Sequence, residues 1–340
     1  MRVLVTGGSG FVGSALARAL AARGLQVRLY QRSALPWAEQ SGLEVVRGEL
    51  TDPPRLAAAV AGCQGVFHTA AKVGVWGKRR DFEQVNVHGT EALLAACRAA
   101  GVQRLVYTST PSVVFDGRDQ DGIDESTPYP TRHLAAYSQT KARAEQMVLA
   151  ANDRSLATVA LRPHLIWGPG DPHLVRRLIE RARAGRLWLV AGGRQLVDST
   201  YIDNAVLAHL LADEQLQTGK ACAGRAYFIS NGEPMPLAEL INRILAAAGL
   251  SPVRRSMPAS LAYALGAGLE WLGQWTGRAD EPPMTRFVAR QLATAHWYRL
   301  DAARRDLGYT PQVTIAQGLE RLAQSLRADQ ADRAAPANPA

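Results

Sequence analysis

Short, almost wholly apolar runs recur along the first half of the chain, and helical patterns separate them. RVLVTG (2–7), QVRLYQ (26–31), LEVVRG (43–48), GVFHTA (65–70), RLVYTST (104–110) and ATVALRP (157–163) have the length and β-branched content of buried strands. Between them lie Ala/Leu-rich segments such as GSALARALAARG (13–24) and GTEALLAACRAAG (89–101), whose apolar positions follow helical spacing. Strand and helix alternating at this pitch predict βαβ units, hence an α/β fold with a doubly wound parallel sheet. RAYFIS (225–230) predicts a seventh strand that returns late to the sheet.

Beyond residue 170 the pattern loosens. HLVRRLIERARAG (173–185) and LAELINRILAAAG (237–249) are helical, with Gly- and Pro-containing loops around them. The expected organisation is a nucleotide-binding domain over 1–170, completed by the strand near 225–230, and a smaller, interleaved C-terminal substrate domain over 171–325. The Ala/Pro/Asp-rich end, 328–340, has no apolar face and is expected to be a disordered tail. Within 256–277, Leu261, Leu265, Leu269, Leu272 and Trp275 share one helical stripe. Glu270 and several glycines argue against a spanning helix. Three roles stay open for this segment: packing on the small domain, a lid over a greasy substrate, or contact with a membrane surface.

Composition narrows the setting. The chain has 340 residues, 47% hydrophobic and 20% charged, enough for a sizeable core. Its three cysteines, Cys63, Cys97 and Cys222, are odd in number and lack metal-ligand spacing, so no metal and a reducing, cytoplasmic compartment are expected. Met1-Arg2 leads directly into the first strand with no apolar signal region. The formal charge is +9, but the basic residues are scattered without interleaved aromatics. Attraction of an anionic substrate or cofactor is expected from that charge, and no nucleic acid partner.

VLVTGGSGFVGSALARAL places Gly7, Gly10 and Gly13 between a strand and a helix. Gly7 permits a tight turn, Gly10 a close backbone approach to a pyrophosphate, and Gly13 close helix–strand packing. The helix N-terminus then offers its free N–H groups and positive dipole end to phosphate. Strand, glycines and helix together predict a Rossmann dinucleotide site. The second strand ends in YQRS, with Arg32 and no carboxylate where an NAD enzyme holds the ribose 2′-hydroxyl. A guanidinium there suits a 2′-phosphate, which favours NADP(H) over NAD(H).

Tyr137 and Lys141 stand four residues apart in AAYSQTKARAE, on one face of a predicted helix. A free phenol titrates near pH ~10, and lowering it by about 3 units is worth roughly 4 kcal/mol. At this point the sequence resembles the extended short-chain dehydrogenase/reductases over residues 1 to about 325. The resemblance rests on TGGSGFVG, VFHTAA (66–71), NVHGT (86–90), YTST (107–110), the Tyr137/Lys141 pair, LRPHLIWGPG (161–170) and STYIDNAVLAH (199–209), and continues in ARRDLGYTPQVTIAQGLERL (303–322). It implies that Tyr137 exchanges the proton at the reacting oxygen. Lys141 would hold the nicotinamide ribose and keep the phenol's pKa down, while Thr110 hydrogen-bonds the carbonyl. It also implies cofactor contacts from Gly7, Gly8, Ser9, Gly10, Phe11, Val12 and Gly13, from Glu49 and Leu50 at the adenine end, from Ala70, Ala71 and Lys72 after the fourth strand, and from Pro163 near the nicotinamide amide. Asn86 is expected in a structural or relay role. His68 is expected as a satisfied structural histidine, and His164 as either a substrate contact or a packing residue.

Within that family the chain looks most like the 3β-hydroxysteroid dehydrogenase branch. RLVYTSTPSV, AYFISNGEP and PPMTRF…HWY are similar to the ketoreductases of bacterial long-chain olefin biosynthesis. That likeness implies NADPH-dependent reduction of a 2-alkyl-3-oxoalkanoic acid, a hydrophobic long-chain β-keto acid, to the 3-hydroxy acid. Arg162, Arg176 and Arg177, or backbone amides, are candidates to receive its carboxylate. The family also implies a homodimer, formed through helices around 82–100 and 135–151. A 3β-hydroxysteroid dehydrogenase, a nucleotide-sugar epimerase or dehydratase, and a non-catalytic NADP-binding sensor remain as alternatives.

Overall fold

The computed structural model describes residues 1–216, 220–278 and 280–334. Seven parallel strands form its main sheet: β1 (Arg2–Thr6), β2 (Gln26–Gln31), β3 (Glu44–Arg47), β4 (Gly65–His68), β5 (Arg104–Thr108), β6 (Ala157–Pro163) and β7 (Arg225–Ile229). Their spatial order is β7-β6-β5-β4-β1-β2-β3. The chain winds outward from β1 to β3, then crosses back to place β4 on the other side of β1. Such a reversal opens a crevice at the carboxyl ends of β1 and β4, where ligands bind in open α/β sheets.

The strands are apolar on both sides because helices cover both faces, and the period-2 alternation sorts each residue to one of two cores. Val3, Val5, Leu29, Phe67, Val106, Val159 and Leu161 pack on one side with Leu16 and Leu20 of helix α1 (Phe11–Ala22). Leu4, Val66, Leu105, Tyr107 and Ala160 pack on the other with Ala144 and Val148 of helix α2 (Ala136–Ala150).

The second lobe contains α3 (Leu174–Arg183), α4 (Leu237–Ala247), α5 (Ala259–Trp275), α6 (Arg286–Ala293) and α7 (Ile315–Ala334). Its core gathers Trp167, Leu178, Ile179, Leu240, Ile241, Ile244, Ile315 and Leu322. One sequence expectation needs correction here. Residues 328–334, expected as the start of a disordered tail, continue α7, and the remainder of that tail, 335–340, lies outside the described residues.

The apolar stripe of α5, whose role the sequence leaves open, does not pack inward. Leu261, Leu265, Leu272 and Trp275 are exposed, whereas Ala262, Gly266 and Gly273 are buried. The cause is close approach: a Cβ on Gly266 would lie 2.6 Å from the Thr285 carbonyl carbon, and one on Gly273 would lie 2.8 Å from the Trp76 ring. Only small residues fit the inner face, so the large ones are left outside. Among the described residues no helix is long and apolar enough to cross a membrane.

Candidate active site

A cleft of about 760 Å³ opens where the crevice was expected, at the carboxyl ends of the strands. Its floor is the turn from β1 into α1. Gly7 adopts φ +75°, and its N–H bonds the Tyr30 carbonyl at 2.9 Å, tying the turn to β2. A Cβ on Gly7 would sit 2.8 Å from the Ala70 backbone, and one on Gly13 would drive into the Gly7 carbonyl. These glycines therefore let two backbone segments meet with the start of α1 open toward the cleft, which suits a pyrophosphate. The neighbouring strand end is fastened by side chains. The Thr69 hydroxyl donates to the Thr6 carbonyl at 2.7 Å, and the Ala70 N–H donates to the Thr6 hydroxyl at 3.3 Å.

At the adenine end the cleft is walled by Tyr30, Gln31, Arg32, Ser33, Gly48, Glu49, Leu50 and Thr51. The Tyr30 hydroxyl donates to the Glu49 carbonyl at 2.7 Å, which holds the loop after β3 against β2. Burial, aided by Asp52, pushes the Tyr30 phenol up to about 12, so it stays neutral. Arg32 is exposed on this wall and makes no ion pair among the described residues. The cleft thus fits a dinucleotide, with its adenosine end along this wall.

At the other end stand Thr108, Ser109, Thr110, Tyr137, Lys141 and Pro163. Thr110 follows β5, and its hydroxyl accepts from the Ser112 N–H at 3.3 Å, capping the turn Pro111–Val114. Tyr137 and Lys141 project from successive turns of α2. The Lys141 ammonium donates to the Thr108 carbonyl at 2.6 Å and lies 4.1 Å from the centre of the Tyr107 ring. Asn86 pins this arrangement from a π-helical segment, Glu83–His88. Its carbonyl accepts from the Lys72 N–H at 2.7 Å, and its amide donates to the Lys72 carbonyl and the Thr140 hydroxyl, both at 3.1 Å. One buried side chain therefore ties the loop after β4 to the helix that carries Tyr137.

The electrostatics differ from the sequence expectation. Burial pushes the Tyr137 phenol up to about 12, with the Thr110 hydroxyl pulling it partly back. Burial likewise lowers Lys141 to about 7, although Glu145 raises it somewhat. In the protein alone burial dominates both groups, raising the phenol and lowering the ammonium. At neutral pH Tyr137 is therefore a protonated donor, and burial brings Lys141 down toward the neutral range.

Most of the residues singled out from sequence line this one cleft: Gly7, Ser9, Gly10, Phe11, Val12, Gly13, Arg32, Glu49, Leu50, Ala70, Ala71, Lys72, Thr110, Tyr137, Lys141 and Pro163. Gly8 does not. It is buried, and a Cβ there would meet the Leu29 side chain at 3.1 Å. Nor does Arg162, whose guanidinium is buried against Glu145 with contacts of 2.6 to 3.2 Å. Arg176 pairs with Glu180 at 2.8 Å and Arg177 with Glu281 at 2.9 Å, both away from the cleft wall. None of the three arginines is among the residues that line this cleft.

His68 bonds Thr6 through Nδ1 at 2.8 Å and Thr90 through Nε2 at 3.0 Å, and burial lowers it to about 3, a neutral structural histidine. His164 sits among His296 and Tyr298, 5.7 and 5.3 Å away between ring centres, and packs rather than lining the cleft. Sequence reasoning missed Val73, Leu165, Asp171, His173 and Leu174 on the wall. Asp171 had a readable signal: it precedes a helical run, and its carboxylate accepts from the N–H groups of His173, Leu174 and Val175 at 2.8, 3.0 and 2.8 Å.

Comparison with known proteins agrees with this geometry. Residues 4–259 match the 3-beta hydroxysteroid dehydrogenase/isomerase family. A 2-alkyl-3-oxoalkanoate reductase of Stenotrophomonas maltophilia is 55% identical over 328 residues, covering 96% of this chain and 99% of that protein. Another protein of the same name, from Shewanella oneidensis, is 48% identical over 95% of this chain and 85% of its own length. Among solved structures, MoeE5 in complex with UDP-glucose and NAD superposes with a TM-score of 0.75 at 26% identity, over 97% of this chain and all of that one.

Proposed function

Because this chain belongs to the 3-beta hydroxysteroid dehydrogenase/isomerase family, we propose that it reduces the 3-keto group of a long-chain 2-alkyl-3-oxoalkanoic acid with NADPH, as a step of olefin biosynthesis. It is an oxidoreductase with a Rossmann fold for a nicotinamide cofactor and a ketoreductase role toward a small molecule. The observation that carries the finer reading is the 55% identity, end to end, with a relative bearing that name. NADP(H) as the cofactor is supported by the exposed Arg32 on the adenine wall and by the lack of a carboxylate at the end of β2.

When bound, the dihydronicotinamide supplies the hydride that adds to C3 of the keto acid. The protein's part is to manage the oxygen. Tyr137, protonated at neutral pH, donates its phenolic proton to the C3 oxygen as the carbonyl bond becomes an alcohol. Thr110 donates a hydrogen bond to the same oxygen and stabilises the charge that builds there. Lys141 would hold the ribose hydroxyls, anchored through Thr108, and the ribbon of Gly7, Gly10 and Gly13 would hold the pyrophosphate.

The test is product analysis. Incubation of the protein with NADPH and a long-chain 2-alkyl-3-oxoalkanoic acid is expected to yield the 3-hydroxy acid, mole for mole with NADPH consumed. Absence of both product and NADPH consumption contradicts the reading. The same reading includes a cytoplasmic place of action, supported by three free cysteines, and a homodimer, which light scattering of the purified chain would reveal as twice the monomer mass.

A further inference from the structure

Among the described residues, two that are not glycine have a left-handed backbone: Ala191, φ +49°, outside the lining of the cleft, and Leu165, φ +41°, within it. In an L residue this conformation crowds Cβ against the following carbonyl, so it is ordinarily left to glycine or asparagine. For a side chain as bulky as leucine it is an outlier. Strain of this kind persists only where the surroundings hold the chain, and it gathers at binding sites.

The hold on Leu165 comes from both directions. The His164 N–H donates to the Ile229 carbonyl at 3.1 Å, and the Thr200 hydroxyl donates to the His164 carbonyl at 2.8 Å. The Thr200 N–H donates to the Leu165 carbonyl at 3.3 Å. Just beyond, Ile166–Trp167 pairs in parallel with Thr200–Tyr201, and the fully buried Trp167 indole donates to the Ser199 hydroxyl at 3.1 Å. The backbone is fixed at 164 and again at 166–167, so residue 165 makes the bend between β6 and that short pairing. Asparagine or glycine would make it with less strain.

What leucine adds is an isobutyl group on the cleft wall. Leu165, Ile166 and Leu174 all line the cleft and lie half-buried on the core of the second lobe. Val73, from the loop after β4, lines it too and is exposed. Of the polar residues beside Leu174, Asp171 turns its carboxylate to the N–H groups of residues 173–175, and His173 is exposed. Pro163, two residues before Leu165, belongs to the catalytic end with Thr110 and Tyr137. The second-lobe side is thus apolar close to the reacting groups, whereas the adenine wall carries Gln31, Arg32, Ser33 and Glu49.

We propose that Leu165 is a specificity residue, whose strained backbone holds an isobutyl group where, with Ile166, Leu174 and Val73, it receives an alkyl chain of the substrate. The inference rests on the reductase reading and names a residue that serves it, but its test needs no turnover. Butanoate, octanoate and dodecanoate are titrated calorimetrically into the full-length protein with NADPH bound. In the wild type, affinity is expected to rise roughly a hundredfold from the shortest acid to the longest, as methylenes are buried. In Leu165→Asn and in Leu165→Ala that rise is expected to shrink about tenfold, with a cooperative thermal transition retained. The asparagine variant is expected to melt above the alanine variant, because asparagine tolerates the left-handed backbone and alanine does not.

Folded variants that keep the wild-type dependence on chain length overturn the proposal, as does wild-type affinity that is the same for all three acids. An asparagine variant that melts below the alanine variant overturns it too, since Leu165 would then be a packing residue without strain. Failure of the reductase reading shows elsewhere, as no NADPH consumption with the keto acid while the acids still bind according to length.

Discussion

Helix α2 carries two buried polar clusters, one turn apart, that have met opposite electrostatic fates. Tyr137, Lys141 and Glu145 follow one another at four-residue steps along one stripe. At the C-terminal step, Glu145 is fully buried and saturated: Arg162 grips it with three contacts, and the Tyr129 hydroxyl donates to it at 2.6 Å. Burial pulls the Arg162 pKa down, but Glu145 and Tyr129 outweigh it, and the guanidinium ends above its ordinary value. At the N-terminal steps there is no counter-charge in contact. Lys141 has only a carbonyl and an aromatic ring, and burial wins, leaving it at about 7. Glu145, Arg162 and Lys141 are alike in burial, yet one end of the stripe makes a closed structural pair and the other an open pair whose half-buried Tyr137 faces the cleft. What separates them is whether the protein itself supplies the partner.

The comparison predicts separable losses of activity and stability. Tyr137→Phe is expected to lower kcat by about 10³-fold, the scale of a lost proton donor, while its thermal transition moves little. Next, Glu145→Ala is expected to cost roughly 3–5 kcal/mol of stability in denaturant unfolding, because it strands the buried Arg162 charge. The folded fraction should keep its turnover, and adding Arg162→Met should restore most of the loss. Should Glu145→Ala instead abolish turnover in fully folded protein, the division between the clusters fails.

Smaller effects sharpen the open end. Arg32→Ala is expected to cut the preference for NADPH over NADH by about tenfold or more in kcat/KM, the worth of a charge-assisted hydrogen bond. An unchanged ratio removes Arg32 from cofactor choice. The slightest expected effect is in pH. Lys141 is charged below about 7 and neutral above, so NADPH affinity should weaken a few-fold as pH rises through that value. Lys141→Met should flatten the profile, which titration of cofactor binding checks directly.

The seven strands and the glycine turn were readable because each depends on local pattern: apolar runs buried on both faces, and small residues where backbones touch. Arg162 was misread for want of one step of alternation. Ala160 faces the core shared with α2, so Arg162, two residues on, extends toward α2 and meets Glu145, while its neighbour Pro163 reaches the cleft. Glu145 carried no signal of its own, since an acid on a helix ordinarily faces water. In α5 the heptad-like stripe identified which residues share a face but not whether another element covers it. That depended on Gly266 and Gly273 drawing neighbouring backbone and Trp76 onto the opposite side. The depressed pKa of Lys141 was equally out of reach, because it arises from tertiary burial that four-residue spacing does not report.

The claim of a reductase for branched β-keto acids is tested most directly by competition. A long-chain 2-alkyl-3-oxoalkanoic acid and a 3-ketosteroid are supplied together, at equal concentration, with limiting NADPH and wild-type protein, and both alcohols are measured. The account predicts that the 3-hydroxy acid takes nearly all of the reducing equivalents. Steroid alcohol as the main product, with the keto acid untouched, would contradict it.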